Sequence, residues 1–245
     1  MRSTRIHIDQ PLSLTAELAL PQQAAEHVTR VLRMDAGDIL TLFNGDGYDY
    51  TATLTSIGKR DATVRIEDRE QIRNESPLKL TLAQGVARGE KMDLIVQKAT
   101  ELGVVRLVPL LTERSEVKLD ASRAEKRLLH WRAVMASACE QSGRVRMPEV
   151  MPAQTLPDWL NSLADDNGAQ RLALLPEGTL RARELRFGDA GGLLVVGPEG
   201  GLGERDVAAL REAGFQGLRL GPRILRTETA GLATLAALQA LHGDF

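Results

Sequence analysis

LLVVGPEGGLGERD, residues 193–206, passes from an apolar strand through a glycine turn into the opening of a helix. Strand, tight turn and helix in that order are the repeating unit of an α/β domain with a mainly parallel sheet. Bare N–H groups at such a helix start usually attract an anion. This turn does not fit the common phosphate cradles. A P-loop needs a lysine after its glycines, and none follows here. A dinucleotide turn needs G-x-G-x-x-G, whereas the glycines stand at 197, 200, 201 and 203. Glu199 at its centre would repel a pyrophosphate. A ligand with an adenosine ring, a hydroxylated ribose and a positive charge, such as S-adenosylmethionine, suits it better. A tight turn whose glycines only supply positive φ, with Glu199 favouring the helix start, fits the residues equally well.

LRLGPRILRTETAGLATL, residues 218–235, repeats the arrangement. Thr227 or Thr229 is expected to cap its helix, with Glu228 in the first turn. Ile224 and Leu225, flanked by Arg223 and Arg226, are an apolar pair wasted on a plain surface turn. Two such turns after two parallel strands lie at the carboxyl edge of one sheet, where α/β proteins bind ligands.

The α/β pattern extends back to residue 78. LKLTLAQGV, VRLVPLL, RLALL, GLLVVG and GLRLG read as strands. GEKMDLIVQKATELGV, SRAEKRLLHWRAVMASACEQ and ERDVAALREAG read as helices; TAGLATLAALQAL is a helix apolar almost all round, to be buried in the core or against a second subunit. The first seventy residues are different: RIHI, DILTLFNG, YDYTATLTSI and ATVRIED alternate like strands, with Asn44-Gly45-Asp46-Gly47 as a turn. A short helix is expected over PQQAAEHVTRVLR, with Ala24, Val28, Val31 and Leu32 at helical spacing, and REQIRNESP reads as connecting chain. The expected division is 1–73, a linker at 74–77, and 78–245.

The 245 residues are 43% hydrophobic and 26% charged, as in ordinary globular proteins. No apolar run reaches the roughly 20 residues that cross a bilayer. The basic N-terminus lacks a signal peptide's apolar core, and Cys139 alone cannot form an internal disulfide, so a cytoplasmic protein without a membrane partner is expected. Four scattered histidines show no metal-ligand spacing; no metal is expected. A net charge of −2 argues against nucleic-acid binding by bulk charge and leaves room for a local basic face.

GPEGGL followed by LGPRILRTETA resembles the paired C-terminal motifs of the SPOUT methyltransferases, and more narrowly those of the RsmE family, the 16S ribosomal RNA uridine-N3 methyltransferases. HVTRVLRM, RGEKMDLIVQKATELGV, ERSEVKL, ACEQSGR and LAALQAL extend the resemblance over most of the chain; departures lie mainly in the weakly patterned segment 152–168. The resemblance implies a small N-terminal PUA-like β-barrel that binds RNA and a C-terminal α/β domain with a deep trefoil knot. It implies a homodimer acting on 16S rRNA, in the small ribosomal subunit or its late precursor, with S-adenosylmethionine as cofactor. Carried over by motif, the cofactor pocket takes Leu175, Pro176, Glu177, Gly197, Pro198, Glu199, Gly200, Gly201, Leu220, Gly221, Ile224, Leu225, Arg226, Thr229 and Ala230.

Methylation at N3 needs the N3 proton to be accepted and the base to be held in line with the donor. Glu228 is the candidate acceptor, ahead of Glu199, and Arg226 the candidate group to orient the uracil. A helix-capping role for either glutamate competes with this. RNA contacts are expected from Arg5, Arg30, Arg33, Arg88, Lys91 and Arg144. Cys139 reads as a packing residue, Trp131 and Trp159 as core or interface, and His27 as packing ahead of an RNA contact. A non-catalytic RNA-binding factor, a nucleotide-dependent oxidoreductase, and a methyltransferase acting on another base are the rival readings.

Overall fold

The computed structural model describes residues 4–117, 120–163 and 168–245. Positions 118 and 119 of the ERSEVKL segment, and 164–167 of the weakly patterned segment, lie outside the described residues. The chain forms two compact units, Met1–Glu75 with Ala136–Met147, and Ser76–Met135 with Pro148–Phe245.

In the first unit β1 (Arg5–His7), β2 (Glu17–Ala19) and α1 (Gln22–Glu26) lead into one π-helical turn at His27–Val31, followed by β3 (Ile39–Phe43), β4 (Tyr48–Ile57) and β5 (Ala62–Gln71). The sheet runs β1-β3-β4-β5-β2, parallel between β1 and β3 and antiparallel elsewhere. Alternation along these strands buries Leu40, Leu42, Ala52, Leu54, Val64 and Ile66 in one core. The 44–47 turn is where expected: Gly45 and Gly47 take φ of +91° and +100°, and Asp46 accepts a hydrogen bond from the Tyr50 hydroxyl at 2.7 Å.

Three readings of this unit change. Arg69–Gln71 belong to β5, because they pair with Tyr48–Tyr50. The expected helix over 21–33 turns π-helical at His27; the wider turn breaks the 3.6-residue phase, so Val28 is buried while Val31 is 67% exposed. His27 is exposed rather than packed. In addition, 136–147 packs here and not with the rest of 78–245. The His7 amide donates to Glu140 Oε1 at 3.0 Å, Arg5 to the Arg144 carbonyl at 3.1 Å, and Asn74 to the Gly143 carbonyl at 2.8 Å. Cys139 is fully buried, and burial pushes its thiol up to about 12.

The second unit contains β6 (Leu80–Gly85), α2 (Glu90–Glu101), β7 (Arg106–Leu111), α3 (Ala121–Ser142, whose last residues pack in the first unit), β8 (Glu149–Val150), β9 (Gln154–Thr155), α4 (Leu156–Ser162), β10 (Gln170–Leu174), β11 (Gly192–Val196), α5 (Glu204–Glu212), β12 (Gln216–Leu218) and α6 (Thr227–His242). Among the described residues the sheet order is β12-β10-β11-β6-β7-β8, with β9 also on β7, and every pairing is parallel. All five residues of β11 are buried, as a central parallel strand requires. Pro109 is tolerated in β7 because β8 pairs with Arg106 and Leu107 and β9 with Leu110 and Leu111, leaving Pro109 between them. Trp131 and Trp159 are core residues. The segment after 152 holds α4, where Thr155 accepts from the Asp158 amide at 3.2 Å and Pro157 sits in the first turn.

α6 packs on α2 and buries Gly231, Thr234, Leu235, Leu238 and Gln239. Its N-cap is Arg226, without a side-chain bond, so neither Thr227 nor Thr229 caps it as expected. The carboxyl ends of β10, β11 and β12 share one edge of the sheet.

Candidate functional site

The turns that leave this edge line a cavity of about 670 Å³. Leu175, Pro176 and Glu177 come from the turn after β10, residues 197–201 from the turn after β11, and Ile224, Leu225, Arg226, Glu228 and Ala230 from the approach to α6 and its first turn. Leu220, Gly221 and Thr229, expected with them, are not among the lining residues. Among the lining residues outside the expected set are Lys91, Arg114 and Thr227.

The turns are held together from behind by Gln84, the fully buried penultimate residue of β6. Its Nε2 donates to the Gly85 carbonyl at 3.0 Å, to Thr227 Oγ1 at 2.9 Å and, more weakly, to the Gly197 carbonyl at 3.4 Å. Thr227 Oγ1 donates in turn to the Gly197 carbonyl at 2.6 Å. The threonine expected as a cap therefore ties α6 to the β11 turn. Close approach needs Gly85 itself, where a Cβ would lie 2.5 Å from the Pro198 nitrogen. A loop from β7 clasps the same turn: the Glu113 amide and the Gly203 amide both donate to Asp206, and Arg114 donates to the Gly200 carbonyl at 3.2 Å.

Charge is concentrated at one wall. Glu199 Oε1 accepts from the Arg88 amide at 3.1 Å and from Lys91 Nζ at 3.1 Å. Partial burial works to raise the Glu199 carboxyl, but the bonds from the Arg88 amide, from its own backbone and from Lys91 outweigh it and hold the group below its ordinary value. Glu228 Oε2 lies 4.0 Å from Lys91 Nζ, is shielded from solvent, and has no hydrogen-bond partner. A cationic ligand and a labile proton both find an acceptor here.

Residues 74–239 match the model of an RNA methyltransferase domain, and residues 20–67 that of an RNA methyltransferase PUA domain. A ribosomal RNA small subunit methyltransferase E from Buchnera aphidicola is 31% identical, over 98% of this chain and 94% of its own. A ribosomal RNA small subunit methyltransferase E from Neisseria gonorrhoeae, solved bound to S-adenosyl methionine, superposes with a TM-score of 0.94 at 39% identity, covering both chains fully. A Legionella pneumophila protein solved with the cofactor SAM gives 0.95 at 38% identity, again over both full chains. The chain belongs to the ribosomal RNA small subunit methyltransferase E family.

In this methyltransferase E chain the six basic residues expected at RNA fall into distinct settings. Arg30 and Arg33 are exposed on the first unit, next to the exposed Val31 and Leu32. Arg144 is only 5% exposed and lays its guanidinium on the Glu75 carboxylate at 2.5–3.2 Å. Arg5 pairs with Asp49 and stacks 4.8 Å from the Phe43 ring centroid. Arg5 and Arg144 are thus corrected to structural residues, since a guanidinium enclosed by its partners has no face left for a phosphate. On the second unit Arg88 pairs with Glu116, and Lys91 stands at the cavity. No group of three or more metal-ligating side chains occurs among the described residues, and no described helix is long and apolar enough to cross a membrane.

Proposed function

We propose that this chain transfers a methyl group from S-adenosylmethionine to N3 of a uridine in 16S rRNA, in the small ribosomal subunit or its late precursor. The convergence of three strand-end turns on one cavity, with the Glu228 carboxylate on its wall holding one oxygen free of hydrogen bonds, carries the reading. The residues present fit the cofactor. The cavity is of small-molecule size, the turns expose backbone, Leu175, Ile224 and Leu225 offer apolar surface for an adenine, and Glu177 and Glu199 offer negative charge to a sulfonium or ammonium. When bound, that group supplies an already activated methyl.

The chain's own residues then position and deprotonate. The Gln84–Thr227–Gly197 bonds fix the cavity wall, so orientation costs little at the moment of reaction. Glu228 accepts the N3 proton, and Glu199, committed to the Arg88 amide and Lys91, holds the wall instead of acting as base. Arg226, exposed at the α6 N-cap, is the candidate to orient the base or a flanking phosphate. Leu220, Gly221 and Thr229 stay in the proposed cofactor set as supports of the turn, Thr229 through the hydrogen bond its amide N–H donates to the Arg226 carbonyl at 2.9 Å.

The same reading assigns RNA binding to residues 1–73, a linker to 74–77 and methyl transfer to 78–245. The first unit's sheet is proposed to close as a PUA-type barrel, and the second to carry the trefoil knot. The backbone contacts of Gly85 with Pro198 and of Gly178 with Gly217 support the close crossing a knot requires. A homodimer would cover α6, where Leu241 remains 51% exposed beside half-buried alanines. Incubating the protein with isotopically labelled S-adenosylmethionine and small-subunit rRNA, then digesting to nucleosides for mass spectrometry, should reveal 3-methyluridine. Label on a different nucleoside would redirect the assignment, and no label would end it.

A further inference from the structure

Lys91 was expected on an RNA-binding face, but it stands on the cavity wall between two carboxylates. Its Nζ is anchored at 3.1 Å on Glu199 Oε1, and the Arg88 amide holds that same oxygen. The side chain keeps 36% exposure, so an ammonium with three donors has spent one on the protein and faces the cavity with the rest. Across from it the Glu228 carboxylate lines the same cavity, its shielded Oε2 without a hydrogen bond and 4.0 Å from Nζ, beyond hydrogen-bond reach. An ordinary structural ion pair would close that gap. Left open, it presents a donor and an acceptor side by side.

We infer that Lys91 and Glu228 together read the base-pairing edge of the target nucleotide, with Lys91 as the specificity-determining residue for uracil. The inference rests on the methyl-transfer reading above. A base extracted for chemistry is recognised by hydrogen bonds along that edge. Uracil offers an N3–H donor flanked by carbonyl acceptors, so N3–H meets Glu228 while a neighbouring carbonyl meets Lys91. Cytosine reverses both groups at N3 and C4, placing a lone pair against the carboxylate and an amino group against the ammonium. The pair therefore attracts one pyrimidine and repels the other.

The same geometry assists deprotonation. The N3 proton passes to the Glu228 carboxylate, which lines the cavity, the N–H bonding pair stays on N3, and the negative charge spreads onto the flanking carbonyl oxygen. Lys91 lies beside that oxygen and stabilises the charge as it develops. Glu228 returns the proton to solvent after the product leaves.

The test compares wild type, Lys91→Met and Lys91→Arg on small-subunit rRNA transcribed with uridine or with 5-fluorouridine, whose N3–H is more acidic. Lys91→Met should lower turnover on uridine RNA about a hundredfold, with calorimetry showing cofactor affinity nearly unchanged and thermal melting showing a folded protein. Fluorouridine RNA should recover most of that loss, because a more acidic substrate needs less help, and Lys91→Arg should retain part of the activity. The rising limb of its pH–rate profile should also move to higher pH in Lys91→Met. Collapse of cofactor affinity, full activity of Lys91→Met, or an equal deficit on both RNAs would each overturn the assignment. Wild-type protein that methylates neither RNA would instead overturn the proposed function.

Discussion

Gln84 and Thr227 stand 143 positions apart in the chain and are joined by a buried 2.9 Å hydrogen bond, Nε2 donating to Oγ1. The Thr227 hydroxyl donates its own hydrogen bond to the Gly197 carbonyl at 2.6 Å, so one hydroxyl links β6, the β11 turn and the start of α6. Thr227→Val keeps the shape and removes the hydroxyl, leaving a buried donor and a carbonyl short of partners. We expect a loss of about 1–3 kcal/mol in unfolding free energy and weaker S-adenosylmethionine binding by calorimetry. Thr227→Ser should restore most of both. An unchanged affinity in Thr227→Val would mean that the cavity does not depend on this tie.

Glu228 is close to isosteric with glutamine, and Oε2 has no hydrogen-bond partner to lose. Glu228→Gln should therefore fold normally and bind cofactor almost as well as wild type. Single-turnover methylation should fall by about a hundredfold or more, the range for loss of a general base. If cofactor affinity collapses while the chemical step survives, Glu228 is a wall residue and the proton leaves by another route.

Arginines of equal charge should behave differently according to their burial. Arg144 is 5% exposed and pairs with Glu75, so Arg144→Met strands a carboxylate and should cost about 3–5 kcal/mol of stability in denaturant titrations. Replacing the exposed Arg30 and Arg33 with alanine should barely move stability. Instead it should weaken RNA binding and reduce the steepness of its salt dependence. A salt slope identical to wild type in the double variant would remove these two residues from the proposed RNA face.

The contrast also shows where sequence is legible. The strand–turn–helix units at 193–206 and 218–235 could be read because glycine spacing and apolar runs are local, and the structure brings both turns to one cavity. Thr155, Pro157 and Asp158 were an equally local helix signal within 152–168. What a local pattern cannot carry is the identity of a distant partner. Nothing near Arg144 says that Glu75, 69 positions away, will cover it, and nothing near Thr227 distinguishes a cap from a tie to Gly197. Lys91 had the same ambiguity: a basic side chain at a helix start reads as an RNA contact until Glu199, 108 positions on, draws it to the cavity. The π-turn at His27–Val31 changes which side chains face outward without any glycine or proline to mark it.

Glu199 gives a pH dependence with a definite sign. Partial burial tends to raise its carboxyl, but donors from the Arg88 amide, its own backbone and Lys91 hold it lower than in the unfolded chain. A carboxylate depressed by folding binds fewer protons in the native state. Its stabilising contribution is complete above its unfolded value of 4.5, and it fades as pH falls through the lower folded value. Glu199→Gln should thus lower stability at neutral pH and flatten the acid limb of the unfolding profile, with the two proteins converging below the folded value. Because Glu199 also anchors Lys91, the variant should lose turnover at neutral pH even where it remains fully folded. Thermal melts and methylation rates taken from pH 3 to pH 8, about the span on both sides of a carboxylate titration, separate the two effects. Parallel acid limbs in wild type and variant would show that the Arg88 and Lys91 donors do not hold this carboxylate in solution.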